Sequence, residues 1–423
     1  MEQVVIHSEP QQLKDTYNRL DALLVLRGFA CFMVVINHCA VPRGSIIYKT
    51  YDFTWILSSS GEVAVWIFFV LSGYLMGKAF YSERYTINTS GLLNFFRNRI
   101  LRIFPLYYFS TLILALFVTP EILKIENWGY LIRTLTFTYN YSMPGAVNGV
   151  VWSLAIEVQF YIFVPFIYTF LKSCLFNRRQ VILAFTYVTF VAFILRLAVW
   201  IIFYTQLHDD ELYLVKYWYS PLVMNCDIFL YGFLVNPWLK YKNKNHHIPV
   251  IAAPEKAFRF PRFSPKIIAV ALILLLYLFT AYHYYFQELR GLPRPVTGVR
   301  TSTTFFILQP LTALVTSFFI FAFESSDYQD FHKNEKLSFT AILRNPTRLL
   351  EIFGNLSYGV YIWHMPIMVK IIPIFTSNIP IEAFYQKLTA TLFLSTLLSV
   401  VTYYLVELPA TRWKIYRQTG TVN

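Results

Sequence analysis

Apolar stretches of about twenty residues recur from one end of the chain to the other. They fall at roughly 20–41, 62–81, 100–119, 152–172, 180–204, 216–237, 266–286, 303–323, 353–374 and 384–406. A stretch of about 20 apolar residues is the length that spans a bilayer as a helix. In lipid every backbone N–H and C=O must find its partner inside the protein, which leaves only helices and closed barrels. The pattern therefore predicts an all-α polytopic membrane protein of about ten transmembrane helices. Only 14% of the 423 residues are charged and 56% are hydrophobic, against about 25% charged in soluble domains. The mean hydropathy is +0.48. A disordered chain, a coiled coil and a soluble enzyme are excluded on these grounds.

The formal net charge is +13. The basic residues lie between the apolar spans, which argues against a nucleic-acid partner and for loops that follow the positive-inside rule. With the N-terminus placed in the cytoplasm, 23 of the 36 Lys and Arg fall on that side and 10 on the other, the remainder lying inside spans. Ten spans keep this alternation, so both termini are expected in the cytoplasm. The expected layout is a tail over 1–19, a membrane domain over 20–409 and a second tail over 410–423. The first 19 residues are polar, so the first apolar run reads as an anchor helix rather than a cleaved leader. The loop from Asn236 to Lys266 holds seven basic residues and one acidic one, Glu255. It suits contact with anionic lipid head groups or with phosphate. The outer loop from Thr119 to Val151 carries Trp128, Tyr139, Tyr141, Pro144 and Gly145. Its aromatic residues suit either a membrane edge or stacking on sugar rings. Cys31, Cys39, Cys174 and Cys226 show neither metal-site spacing nor a disulfide framework, and no metal site is expected.

Ionisable residues inside apolar spans are costly in lipid and mark candidate sites. Arg27 and His38 lie eleven residues apart in the first span, close to three helical turns, so they share a face about 16 Å apart along the axis. An Arg there suits a phosphate or carboxylate. Arg99 and Arg102 share a face at the start of the third span, either as a topological determinant or as a phosphate clamp. Glu157 falls inside the fourth span at a depth close to that of His38, and the two are expected to pair, a carboxylate orienting the imidazole. Ser357, Tyr361 and His364 lie on one face of the ninth span. Gly61, Ser72 and Gly73 in the second span read as small residues at a helix contact. Glu407, at the end of the last span, has Arg412 as a candidate ion-pair partner.

Taken in order, Leu26-Arg27-Gly28 with His38, FFVLSGYL around Ser72, Arg99-x-x-Arg102-Ile103-x-Pro105, Trp152-Ser153-Leu154 with Glu157, Ser357-Tyr358 with Tyr361 and His364, and Glu407-x-Pro409 resemble the acyltransferase-3 family of integral membrane acyltransferases. The resemblance covers essentially the whole chain. It implies an O-acetyltransferase of the bacterial inner membrane that takes an acyl group, acetyl by default, from cytoplasmic acetyl-CoA or another acyl-CoA. The implied acceptor is a hydroxyl of a surface glycan or glycolipid such as a lipopolysaccharide O-antigen sugar. It implies that His38 is catalytic with Arg27 its partner, that Glu157 is needed in the site, and that Arg99, Arg102 and Ser72 serve the donor. His364, Tyr361 and Ser357 form a further candidate group. Trp66 stands where members often carry an acidic residue. With only a short tail after Pro409, the expected form is the stand-alone one. The rival reading is a proton-coupled transporter or exporter of a glycan or small molecule, using the same His, Arg and Glu as a relay. Such a carrier favours internal pseudo-repeats, which the sequence does not display.

Overall fold

The computed structural model describes residues 21–138, 147–209, 215–244, 264–287, 302–325, 345, 347–371, 374 and 377–412. The expectations for the two tails beyond 20 and 412, for the centre of the basic loop, and for Tyr139, Tyr141, Pro144 and Gly145 lie outside the described residues. The helices are α1 (Ala22–Cys39), α2 (Gly61–Tyr81), α3 (Thr89–Phe117), the short α4 (Trp128–Leu135), α5 (Val151–Cys174), α6 (Arg178–Ile202), α7 (Leu222–Lys244), α8 (Pro265–Gln287), α9 (Gln309–Glu324), α10 (Thr347–Ile371) and α11 (Pro380–Thr402). Between α1 and α2 two short strands, Ile47–Tyr48 and Tyr51–Asp52, pair antiparallel as a hairpin.

Among the described residues nine helices are long and apolar enough to cross a membrane. The expected ninth span, α10, is the exception by composition, not by length: it runs 25 residues but carries Arg348, Glu351, Asn355, Ser357, Tyr358 and His364. Ser357 and His364 are buried, Arg348, Glu351 and Tyr358 are half-buried, and Asn355 is exposed. The third span starts eleven residues earlier than its apolar run because Asn88 caps the helix, accepting from the backbone N–H of Gly91 at 2.8 Å. Short π turns precede α7 and α9 and follow α11.

Helix α2 is buried all round, as a helix apolar on every face must be, and it touches α1, α5, α7 and α9. Its closest partner is α7. A Cβ on Gly73 would lie 2.0 Å from the backbone oxygen of Phe229, and one on Gly232 would lie 1.9 Å from that of Val70. The same device locks α1 to α10. A Cβ on Gly28 would lie 1.9 Å from the oxygen of Leu350, and one on Gly354 would lie 2.0 Å from that of Leu24. Close backbone approach at small residues is how helices associate where lipid removes the hydrophobic drive. Here it sets the face of α1 that bears Arg27 and His38 against the face of α10 that bears Tyr361 and His364. Helix α6 sits at the edge, with little of it buried inside the protein. It is tied to α7 by a buried ion pair, Arg196 Nη2 to Asp227 Oδ2 at 2.7 Å.

Candidate active site

Helices α1, α2, α3, α5 and α10 enclose a cavity of about 840 Å³, its open mouth included. Arg27, Ser72, Arg99, Arg102, Glu157, Tyr161, Ser357, Tyr358 and Tyr361 all contribute to its lining. The i, i+3 spacing that put Arg99 and Arg102 on one face holds, and both reach the cavity while Arg97 does not. The Arg99 guanidinium lies over the Tyr161 ring, 5.9 Å from its centroid. The Nε atoms of Arg27 and Arg99 are buried without a hydrogen-bond partner. Among the described residues no salt bridge neutralises Arg27, Arg99 or Arg102. Three guanidiniums facing one carboxylate leave the cavity cationic, and planar guanidinium forks suit phosphate or carboxylate oxygens.

Glu157 is the one acidic group in the lining. It accepts from Ser72 Oγ at 2.6 Å and from the hydroxyl of Tyr161, one turn along α5. It also interacts electrostatically with Arg27. The structure therefore sets Glu157 with Arg27 at the cavity, whereas His38 interacts with a different carboxylate, Glu62. The sequence argument matched depths along two helices. Depth does not say which way a side chain turns, and α5 turns Glu157 towards α2. Tyr161 was not singled out from the sequence, yet its i+4 spacing from Glu157 was a usable signal.

His38 sits at the Cys39 end of α1. Its ring lies 5.3 Å, centroid to centroid, from that of His364 on α10. Glu62, in the first turn of α2, accepts from Ser60 Oγ at 3.0 Å. His364 is fully buried, with Nδ1 2.7 Å from the carbonyl oxygen of Tyr361. Neither histidine lines the arginine cavity. Tyr361 and Phe68 stand on its wall, their rings 6.3 Å apart. The Tyr361 hydroxyl shares a hydrogen bond of 2.7 Å with Ser153 Oγ, and its ring lies 5.6 Å from His364. Tyr361 thus touches both halves of the site.

Two further groups surround the arginines. Tyr358 donates to the carbonyl oxygen of Ile103 at 2.6 Å. Glu407, in the π turn Tyr403–Glu407, is buried and interacts with Arg102, although Arg412 was its expected partner. The extra residue of a π turn rotates the side chains that follow it, a rotation that a 3.6-residue reading does not anticipate. Trp66, the departure from the family pattern, is fully buried and does not line the cavity. Groups of three or more potential metal ligands are absent among the described residues.

The chain matches the acyltransferase-3 family, described as an acyltransferase domain, over residues 20–406. An O-acetyltransferase OatA of Staphylococcus aureus (strain COL) is 28% identical over 172 residues, covering 37% of this chain and 26% of that protein. A peptidoglycan O-acetyltransferase OatA of Listeria monocytogenes serovar 1/2a is 30% identical over 144 residues, covering 30% of this chain and 23% of that protein. The matched region spans about a quarter of the length of these curated relatives. No solved structure matches the chain.

Proposed function

The chain belongs to the acyltransferase-3 family, and we propose that it is a membrane O-acyltransferase that moves an acyl group, acetyl first, from acyl-CoA to a glycan hydroxyl. The observation that carries this reading is the division of labour along α1. Arg27 faces a cationic cavity, and His38, eleven residues on, faces a second histidine. The phosphates of the donor are anionic and suit Arg27, Arg99 and Arg102. The thioester end is the neutral, slender part of the donor, and it would pass the Phe68–Tyr361 wall towards His38.

The chemistry needs a base for the acceptor hydroxyl. His38 takes that proton as the acceptor oxygen bonds to the acyl carbon. The carbon–sulfur bond breaks, and the departing thiolate receives the proton from His38, leaving free coenzyme A thiol and an ester. Glu157 opposes the charge of Arg27 and keeps the cavity from binding its anion too tightly to release it. The distribution of Lys and Arg supports termini on the cytoplasmic side, and the family resemblance a bacterial inner membrane, so that the cavity meets the cytoplasmic donor and His38 the far face. The Listeria relative, a peptidoglycan O-acetyltransferase, makes peptidoglycan the first acceptor to test, with a lipopolysaccharide O-antigen sugar second.

The test is thiol release from acetyl-CoA by purified protein in lipid nanodiscs, with each glycan supplied in turn and His38→Ala alongside. Release that requires both a glycan and His38 supports the reading. Folded protein that binds several acyl-CoAs but turns none over with either glycan overturns it.

A further inference from the structure

His364 holds a ring nitrogen that the chemistry above leaves unused. Its Nδ1 lies 2.7 Å from the carbonyl oxygen of Tyr361. A carbonyl oxygen only accepts, so Nδ1 carries the proton and Nε2 of the neutral ring is a lone pair. That Nε2 is buried, has no hydrogen-bond partner, and belongs to a residue with 0% exposure. Buried polar atoms are nearly always partnered. The ring beside it is that of His38, tilted by 41° with centroids 5.3 Å apart. Imidazole nitrogens lie about 1.2 Å from their centroid, so a 5.3 Å centroid separation lets one from each residue come to about 3 Å, hydrogen-bond distance, when the two nitrogens face each other.

We infer that His364 is a positioning residue for His38: its Nε2 accepts the N–H of His38 and so holds the other His38 nitrogen as the lone pair that meets the acceptor hydroxyl. This rests on the acyltransferase reading with His38 as base. In hydrolase triads a carboxylate performs the equivalent orienting task. Here a neutral imidazole performs it, with its own tautomer set one turn back by a backbone carbonyl. A neutral acceptor orients without adding a second buried charge. Glu62, on the α2 side, is the charged group that interacts with His38 and meets the imidazolium as it forms. Tyr361 connects the two halves, its carbonyl setting His364 and its hydroxyl bonded to Ser153 on the cavity wall.

The experiment compares His364→Gln with His364→Leu in the full chain in nanodiscs, read by acetyl-CoA turnover and its pH profile. Gln extends an acceptor oxygen to the place of Nε2, and Leu removes the acceptor. The expected result is a roughly 100-fold fall in kcat for Leu, the KM for acetyl-CoA within about twofold, and Gln within about tenfold of the parent. The acid limb of the kcat/KM profile moves in the Leu variant alone. Two results overturn the inference: a folded Leu variant within about threefold of the parent, or Gln and Leu falling equally with an unmoved acid limb. Should Leu not fold, His364→Asn, which reaches only the place of Nδ1, replaces it, and Asn matching Gln overturns the inference. His38→Ala turning over like the parent would sink the acyltransferase reading itself, whatever the His364 variants do.

Discussion

Ser72 Oγ donates a 2.6 Å hydrogen bond to the carboxylate of Glu157, joining α2 to α5 at the wall of the arginine-lined cavity. A hydrogen bond to a charged acceptor is worth about 1.5–3 kcal/mol. Ser72→Ala is expected to keep the fold and lower turnover by roughly tenfold, while Glu157→Gln lowers it by roughly a hundredfold or more. Both are read by thiol release on protein whose melting temperature is within a few degrees of the parent. Equal activity of Glu157→Gln and parent would remove Glu157 from the working site.

Among the described residues Arg99 and Arg102 face the cavity without a salt bridge, which predicts a binding rather than a chemical role. Arg102→Lys keeps the charge and loses the fork. The expected outcome is a KM for acetyl-CoA raised by roughly tenfold with kcat nearly unchanged, and a KM in the parent that rises with salt. Steady-state kinetics at two ionic strengths checks both. A fall in kcat alone would contradict the assignment.

The α1–α10 contact leaves no space at Gly354, where a Cβ would lie 2.0 Å from the backbone oxygen of Leu24. Gly354→Ala forces the helices apart and is expected to cost about 1–3 kcal/mol. It should also lower activity through the displaced Arg27 and His38. Gly129→Ala is the control, since nothing lies within 4 Å of a Cβ there. Thermal unfolding in one detergent, with both variants side by side, decides it.

Asp52 lies outside the spans, in the hairpin after α1. Desolvation acts to raise its pKa, but hydrogen bonds from the Thr54 side chain, the Tyr285 hydroxyl and the backbone of Thr54 and Gly44 outweigh it, and the carboxyl sits below its ordinary value. A depressed carboxylate contributes stability that is present above its unfolded pKa of about 4 and is lost as pH falls through the lower folded value. The hairpin should therefore stay docked on Tyr285 at pH 5 and loosen at strongly acid pH. Hydrogen exchange over residues 43–54 measures this, and Asp52→Asn should abolish the pH dependence.

Much of this arrangement is legible in the amino-acid order, and the reasons for the remainder are physical. Spacing along one helix carries over well: Arg99 and Arg102 face the cavity together because three residues nearly complete a turn. Spans announce themselves because lipid demands apolar length. Pairing between helices is not written in spacing. Glu157 was expected beside His38 from depth alone, but the rotation of α5 about its axis, set by packing, delivers it to Ser72 and Arg27. His38 instead meets His364, and that proximity follows from the glycine contacts between α1 and α10. Glu407 was singled out, but its π turn hid Arg102 as the charge it meets. Helix α10 is more polar than a span facing lipid would be, and two of its polar groups, Ser357 and His364, are buried among its neighbours.

Helix α6 offers most of its surface outward, including Ile182, Leu183, Phe190, Phe193, Ile194, Ile201 and Ile202. A surface this apolar suits acyl chains, which conform to any apolar outline. Leucine can stand for isoleucine or phenylalanine along that face with little consequence, so these positions are free to vary in identity while held to one solubility. Arg196 and Asp227 are different. Either charge alone would be stranded in a dry interior, at a cost of about 3–5 kcal/mol. Evolutionary change at these two positions must therefore come in pairs, whereas a few ångströms away it can come one residue at a time.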